Sequence, residues 1–183
     1  MEITQLLLHP VRLRILHAVL DGAPFSTSQL CERLPDVSTA TLYRQVALLV
    51  DGGLLEMDSE KSVRGAVERF YRLQPAKNFM APEAISAMTK DDHRRGFAAA
   101  IAALVGEFNA YLDRDDANPL ADSVSYRQFA LWLSDEEKHA FIGDVVFAIR
   151  ARASNAPSPA RTRHLLSTIL FPTESGQQTE GSS

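Results

Sequence analysis

The sequence predicts a mainly α chain with a small amount of β structure, and three observations carry that reading. Apolar residues recur at helical spacing near the start, around residue 45 and around residue 104. Serine, threonine or proline stands where each of these stretches would begin. Two short segments rich in strand-forming residues flank one polar turn. With 183 residues, 45% hydrophobic and 23% charged, the chain can build one or two domains with cores.

Taken in order, HPVRLRIL at 9–16 opens a helix with proline, whose missing N–H has no intrahelical partner at that position. Val11, Ile15, Leu16, Val19 and Leu20 form its apolar face, and Arg12 and Arg14 are expected off that stripe. After DGAP, Ser26 or Thr27 caps a short helix ending near Leu34, with Leu30 and Leu34 on one face. PDVS is a turn. Ser38 then caps a third helix in which Leu42, Val46, Leu49 and Val50 face inward, and Gly52 and Gly53 end it. LLEMDSE and AVERFYRL read as two strands around the turn SEKSVRG. Helix, short helix, turn, helix and hairpin within residues 1–75 is the plan of a winged helix-turn-helix domain.

Residues 76–118 read as a linker followed by a long helix, with Thr89 and Asp92 spaced as a capping pair. Phe97, Ile101, Leu104, Phe108 and Tyr111 follow one another at heptad steps, with Ala98, Ala99, Ala102 and Ala103 beside them. The seam suits pairing with the same helix of a second subunit, since the linker leaves it little else to cover. Laying it on its own domain's core is the alternative.

Residues 119–172 read as a small α+β module. SYRQFALWLS suggests a strand, Ser134 and Glu137 form a capping box for a helix from Asp135 to about Ala153, and RTRHLLSTILF suggests a second strand. Strand alternation puts Tyr126, Gln128, Ala130 and Trp132 on one face, with Phe129, Leu131 and Leu133 on the other. One face would pack on Phe141 and Val145. The other would be a dimer contact or the wall of a pocket for a small organic effector, formed by Tyr126, Gln128 and Trp132. Residues 173–183 are polar and expected to be disordered.

Net charge is −4. Residues 1–75 hold 8 basic and 9 acidic side chains, a net of −1, and the remainder 11 and 14, a net of −3. Any DNA contact must therefore concentrate its positive charge locally. No apolar run approaches the ~20 residues of a membrane span, no signal peptide is visible, and the single cysteine, Cys31, excludes an intrachain disulfide. A cytoplasmic location is expected. Glycine-rich phosphate loops and nucleophile or zinc motifs are missing, so neither an enzyme nor a cofactor is expected. His9 reads as a helix-start residue, His139 as a solvated helix position, and Cys31 as a small, partly buried side chain. Asp91 and His93 have the spacing of two metal ligands, but only Glu107 could join them, so no metal site is expected.

Recognition chemistry is the better-supported class. In a helix-turn-helix the second helix enters the major groove and its N-terminal residues meet bases and phosphates. Ser38, Thr39, Thr41, Tyr43, Arg44 and Gln45 occupy the N-terminal and outward positions of the third helix, with hydroxyl, guanidinium and amide groups suited to DNA. Lys61 and Arg64 would add phosphate contacts from the tip of the wing.

HPVRLRIL, with STATLYRQVALLVDGGLL, resembles the ArsR-like winged helix-turn-helix regulators over about residues 5–73, and TLYR is also similar to the PadR-like branch. The resemblance implies that the first helix is the scaffold for the recognition pair and that a long helix dimerises the protein. It does not bring a metal site, because the family's cysteine pair is absent and Leu104 stands where a ligating histidine would fall. Gln45 replaces the family's common histidine, so base preference is not implied. The expectation is a homodimeric, sequence-specific regulator of double-stranded DNA, a repressor that a small organic effector would release. A winged-helix protein-interaction module without DNA binding is the rival.

Overall fold

The computed structural model describes residues 6–20, 22–63, 66–74, 85–153 and 155–173. They form two units, divided after Gln128. In the first unit, α1 (Pro10–Ala18) begins on its proline, with His9 as the residue before it in extended geometry. β1 (Phe25–Ser26) leads directly into α2 (Thr27–Arg33). Ser26 caps α2 reciprocally: its Oγ accepts from the Gln29 N–H, and its own N–H donates to Gln29 Oε1. α3 (Thr39–Asp51) is capped by Ser38. β2 (Leu55–Val63) and β3 (Ala66–Leu73) form the hairpin, and β1 pairs on the outer side of β3, giving the order β1-β3-β2, all antiparallel. This is the winged helix-turn-helix fold.

One core holds the domain: Leu6, Ile15, Leu16, Val19, Phe25, Leu30, Leu34, Leu42, Val46, Leu49, Leu54, Leu55 and Leu73 are buried together. Burial of each large side chain is worth ~1.5–3 kcal/mol, which is what fixes three short helices that could not persist alone. Gly53 ends α3 at φ +69°, the left-handed geometry expected of the glycine pair. Gly52 has an ordinary φ and serves differently: a Cβ there would collide with Leu6.

Three expectations for this unit need correction. Leu20 is exposed, while Arg12 and Arg14, expected on the outer side of α1, are buried at 8% and 5% exposure. Burial is tolerated because both guanidiniums are hydrogen-bonded, Arg12 to the Leu6 carbonyl and Gln45, Arg14 to two carboxylates. The hairpin turn is also shorter than SEKSVRG. Ser59 to Val63 continue β2 in register, Lys61 opposite Glu68, after a bulge at Asp58.

The long helix α4 (Lys90–Leu112) starts at the predicted Thr89–Asp92 box. It is not idle against its own chain. Ala99 and Ala103 are buried, and Gly106 lies against Arg14 of α1, so the small-residue side of α4 packs on α1. The heptad seam faces the other way. Phe97 and Phe108 are 51% and 39% exposed, and Ile101, Leu104 and Tyr111 are half-buried.

In the second unit, α5 (Asp135–Ala153) has the predicted bounds and cap, the Ser134 N–H donating to Glu137 and the Glu137 N–H to Ser134 Oγ. The β-α-β order does not form. Among the described residues no strand follows Leu73, and 124–134 and 161–173 are irregular. Alternating side chains make a strand only where a neighbour accepts the backbone hydrogen bonds, and among the described residues no neighbour does so here. The tail expectation, from residue 174 on, lies outside the described residues.

Candidate nucleic-acid interface

The turn between α2 and α3 is built to hold the start of α3. Ser38 Oγ accepts from the Thr41 N–H at 3.3 Å and donates to Thr41 Oγ1 at 2.9 Å. Cys31 in α2 contacts Thr39 Oγ1 at 3.7 Å, as a small partly buried thiol at the junction of the two helices. Asp36, in the turn itself, takes both ends of the Arg14 guanidinium, at 2.5 and 2.9 Å. That fork holds the Asp36 carboxyl below the usual carboxylate range, with burial opposing it. Arg14 also donates to Glu107 of α4 at 3.2 Å, so one buried cation links the turn, α1 and α4.

On α3, Thr39, Ala40, Tyr43, Arg44, Ala47 and Asp51 are exposed. Tyr43 and Arg44 flank Ala40 and Ala47 on one face, so two large polar side chains border a low surface that lets the helix backbone approach a groove. Ala40 and Ala47 escaped sequence reasoning because they carry no polar group. Exposure on the same face as Arg44 is the signal, and alanine can meet a thymine methyl. Asp51, exposed at the last turn, would repel a phosphate there.

Gln45 must be removed from this face. It is 3% exposed and accepts a hydrogen bond from Arg12 Nη1 at 3.1 Å. The reason is geometric: Gln45 stands three residues after Leu42 and four before Leu49, on the buried stripe itself. Ser38 and Thr39 are at the surface, whereas Thr41 is half-buried and its hydroxyl engages Ser38.

His9 adds an unexpected cation neighbourhood. Its pKa is lowered by burial first, then by the charges of Arg12 and Arg44, with a backbone hydrogen bond opposing them. The start of α1 therefore sits close enough to Arg44 for their charges to interact.

In the wing, Arg69 pairs with Glu60 at 2.9 Å and Arg72 with Glu56 at 2.6 Å. Lys61 is exposed, with Nζ 4.7 Å from the centre of the Phe70 ring. It lies on strand β2 rather than on a flexible tip. Arg64 lies outside the described residues. Tyr126, Gln128 and Trp132, expected to line a pocket, are on an irregular, exposed stretch, with Tyr126 and Trp132 more than four-fifths exposed. Among the described residues no three His, Cys, Asp or Glu side chains come together as metal ligands, and Asp91 is paired with Arg94. No described helix is long and apolar enough to cross a membrane.

Residues 7–58 match the model of a family described as a helix-turn-helix domain. This stretch runs from the residue after Leu6 to the bulge in β2 and contains the whole α1-α2-α3 unit. It supports a DNA-binding transcription regulator at that general level, without singling out the ArsR-like or PadR-like branch. No curated protein matches the chain. Among solved structures, a protein with a GntR superfamily winged-helix-turn-helix domain from Halomicrobium mukohataei is similar at 23% identity, over 75% of this chain and 89% of that one, with a TM-score of 0.33. The winged-helix assignment stands on this chain's own elements.

Proposed function

We propose that the protein is a homodimeric, sequence-specific regulator of transcription that binds double-stranded DNA in the cytoplasm, as a repressor. The observation that carries this reading is the outward pair Tyr43 and Arg44 on a recognition helix whose start is fixed by Ser38 and by the Arg14–Asp36 fork. Arg44 supplies the donor fork that reads guanine edges, Tyr43 and the N-terminal hydroxyls of Ser38 and Thr39 supply phosphate contacts, and Lys61 and Arg64 add the wing. The repressor role follows the ArsR-like resemblance.

Homodimerisation is supported by the α4 seam. Phe97, Ile101, Leu104, Phe108 and Tyr111 lie opposite the face that covers α1, so packing on α1 does not use them up, and Phe97 and Phe108 stay exposed. A two-fold dimer would meet a pseudo-palindromic operator with half-sites about one helical turn apart.

Titrating operator DNA at increasing salt tests the reading against the protein-interaction alternative. Counterion release makes log affinity fall with log salt by roughly 0.9 per phosphate contact, and Lys61→Ala should flatten the slope by about that amount. Binding that ignores salt and sequence would leave the protein-interaction module.

A further inference from the structure

Helix α5 buries none of its residues, yet it carries Phe141, Ile142, Val145, Val146, Phe147 and Ile149. Phe147 is 76% exposed, and the side of the helix it shares with Gly143 is open, since a Cβ on Gly143 would have no neighbour within 4 Å. That side has a definite order. Glu136, Ala140, Gly143, Phe147 and Arg150 follow one another at steps of four, three, four and three, the spacing of a two-helix seam.

The order is complementary to its own reverse. Laid antiparallel on a second copy with the two-fold axis at Gly143, Glu136 falls opposite Arg150 and Gly143 opposite Gly143, while Ala140 and Phe147 come within one residue of each other, about 1.5 Å along the axis. Acid meets base at both ends, the large ring meets the small side chain, and the crossing point has no side chain to hold the backbones apart. The wider charge pattern agrees: Asp135, Glu136 and Glu137 occupy the first turn, and Arg150 and Arg152 the last. A parallel pair would instead set Glu136 on Glu136, Phe147 on Phe147 and Arg150 on Arg150. We propose that α5 pairs antiparallel with α5 of a second copy of this chain through Glu136, Ala140, Gly143, Phe147 and Arg150. The pairing rests on α5 alone and needs neither the α4 seam nor DNA binding.

Cross-linking of the full chain tests it. In a Cys31→Ser background, chains carrying Glu136→Cys and chains carrying Arg150→Cys are co-expressed and treated with a short bismaleimide. The mixture should give a covalent dimer, and each variant alone should not. Self-linking of Glu136→Cys chains would show a parallel pair, and no linking in the mixture, with helix content unchanged by circular dichroism, would overturn the proposal. Charge supplies a second reading. Arg150→Glu should slow cross-linking at Gly143→Cys by roughly two- to tenfold, as expected for exposed ion pairs lost at both ends. Co-expression with a Glu136→Arg partner should restore it, and an unchanged rate would count against the pairing. Gel shifts on the same preparations report DNA binding separately, so either result can fail without the other.

Discussion

Arg14 of α1 and Asp36 of the helix-turn-helix turn are joined by two parallel hydrogen bonds, Nη1 to Oδ2 at 2.5 Å and Nη2 to Oδ1 at 2.9 Å. The third guanidinium nitrogen, Nε, reaches Glu107 of α4 at 3.2 Å. The cation is buried and its two acids are only partly so. The arrangement ties the start of the recognition helix to the helix that carries the apolar seam. Arg14→Ala should lower unfolding free energy by about 2 kcal/mol, the net value of hydrogen bonds to charged groups. The two acids can rehydrate, which keeps the loss below that of a fully buried pair. Arg14→Lys should recover only part, because an ammonium cannot make the fork. Denaturant unfolding of the three proteins gives the comparison, and equal midpoints would remove Arg14 from the framework.

The same fork predicts an acid limb. Asp36 is held below the ordinary aspartate value of about 3.9, chiefly by the Arg14 hydrogen bonds. Its folded pKa is the lower one, so the unfolded chain binds the proton first. The Asp36 contribution is therefore whole above about pH 4 and is lost as the pH falls through the lower, folded value. Asp36→Asn should lower stability at neutral pH and make the unfolding curve flatter in acid. Parallel curves for the two proteins below about pH 4 would count against the linkage.

Gln45 separates a packing role from a reading role. Its carbonyl accepts from the buried Arg12 guanidinium. Gln45→Ala should cost about 2 kcal/mol of stability and leave the operator preference of the folded protein unchanged. A change in preferred base without loss of stability would return Gln45 to the DNA face.

The first seventy-five residues were legible because their signals are local. Pro10, Ser26, Ser38 and Gly53 each mark a helix end through backbone chemistry that needs no partner, and the Leu42–Leu49 stripe finds its core within the same domain. What escaped depends on distant residues. Arg12 and Arg14 look like surface cations until Gln45, Asp36 and Glu107 arrive from other elements. The second unit shows the limit most clearly. The Ser134–Glu137 box placed α5 correctly, while alternation at Tyr126–Leu133 promised a strand that no neighbour among the described residues completes. On α4 the seam and the alanines beside it were visible as a pattern, and a seat on the chain's own core was the alternative reading, but α1 as the partner of Ala99, Ala103 and Gly106 was not.

Arg44 should read sequence. It is exposed on the face it shares with Ala40 and Ala47, in the second turn of α3. Arg44→Ala should weaken operator binding by ~1–3 kcal/mol and relax the preference at one base position in each half-site. Selection of bound sequences from a random pool, run with both proteins, separates the outcomes. A uniform loss across all sequences would mean a phosphate contact instead.

The α4 seam sets the last expectation. Leu104 sits in the middle of it, flanked by Ile101 and Phe108 at heptad steps, on the side turned away from α1. In a two-fold dimer every seam residue counts twice, and burial of each leucine is worth ~1.5–3 kcal/mol. Leu104→Glu replaces that gain with two carboxylates facing each other in an apolar contact. The dimer dissociation constant should rise by at least roughly a hundredfold, measured by sedimentation across a dilution series. Affinity for a single half-site should stay as it was, while affinity for the two-half-site operator falls, because only the dimer spans it. A folded Leu104→Glu protein whose dissociation constant is unchanged would place the contact between subunits on another surface.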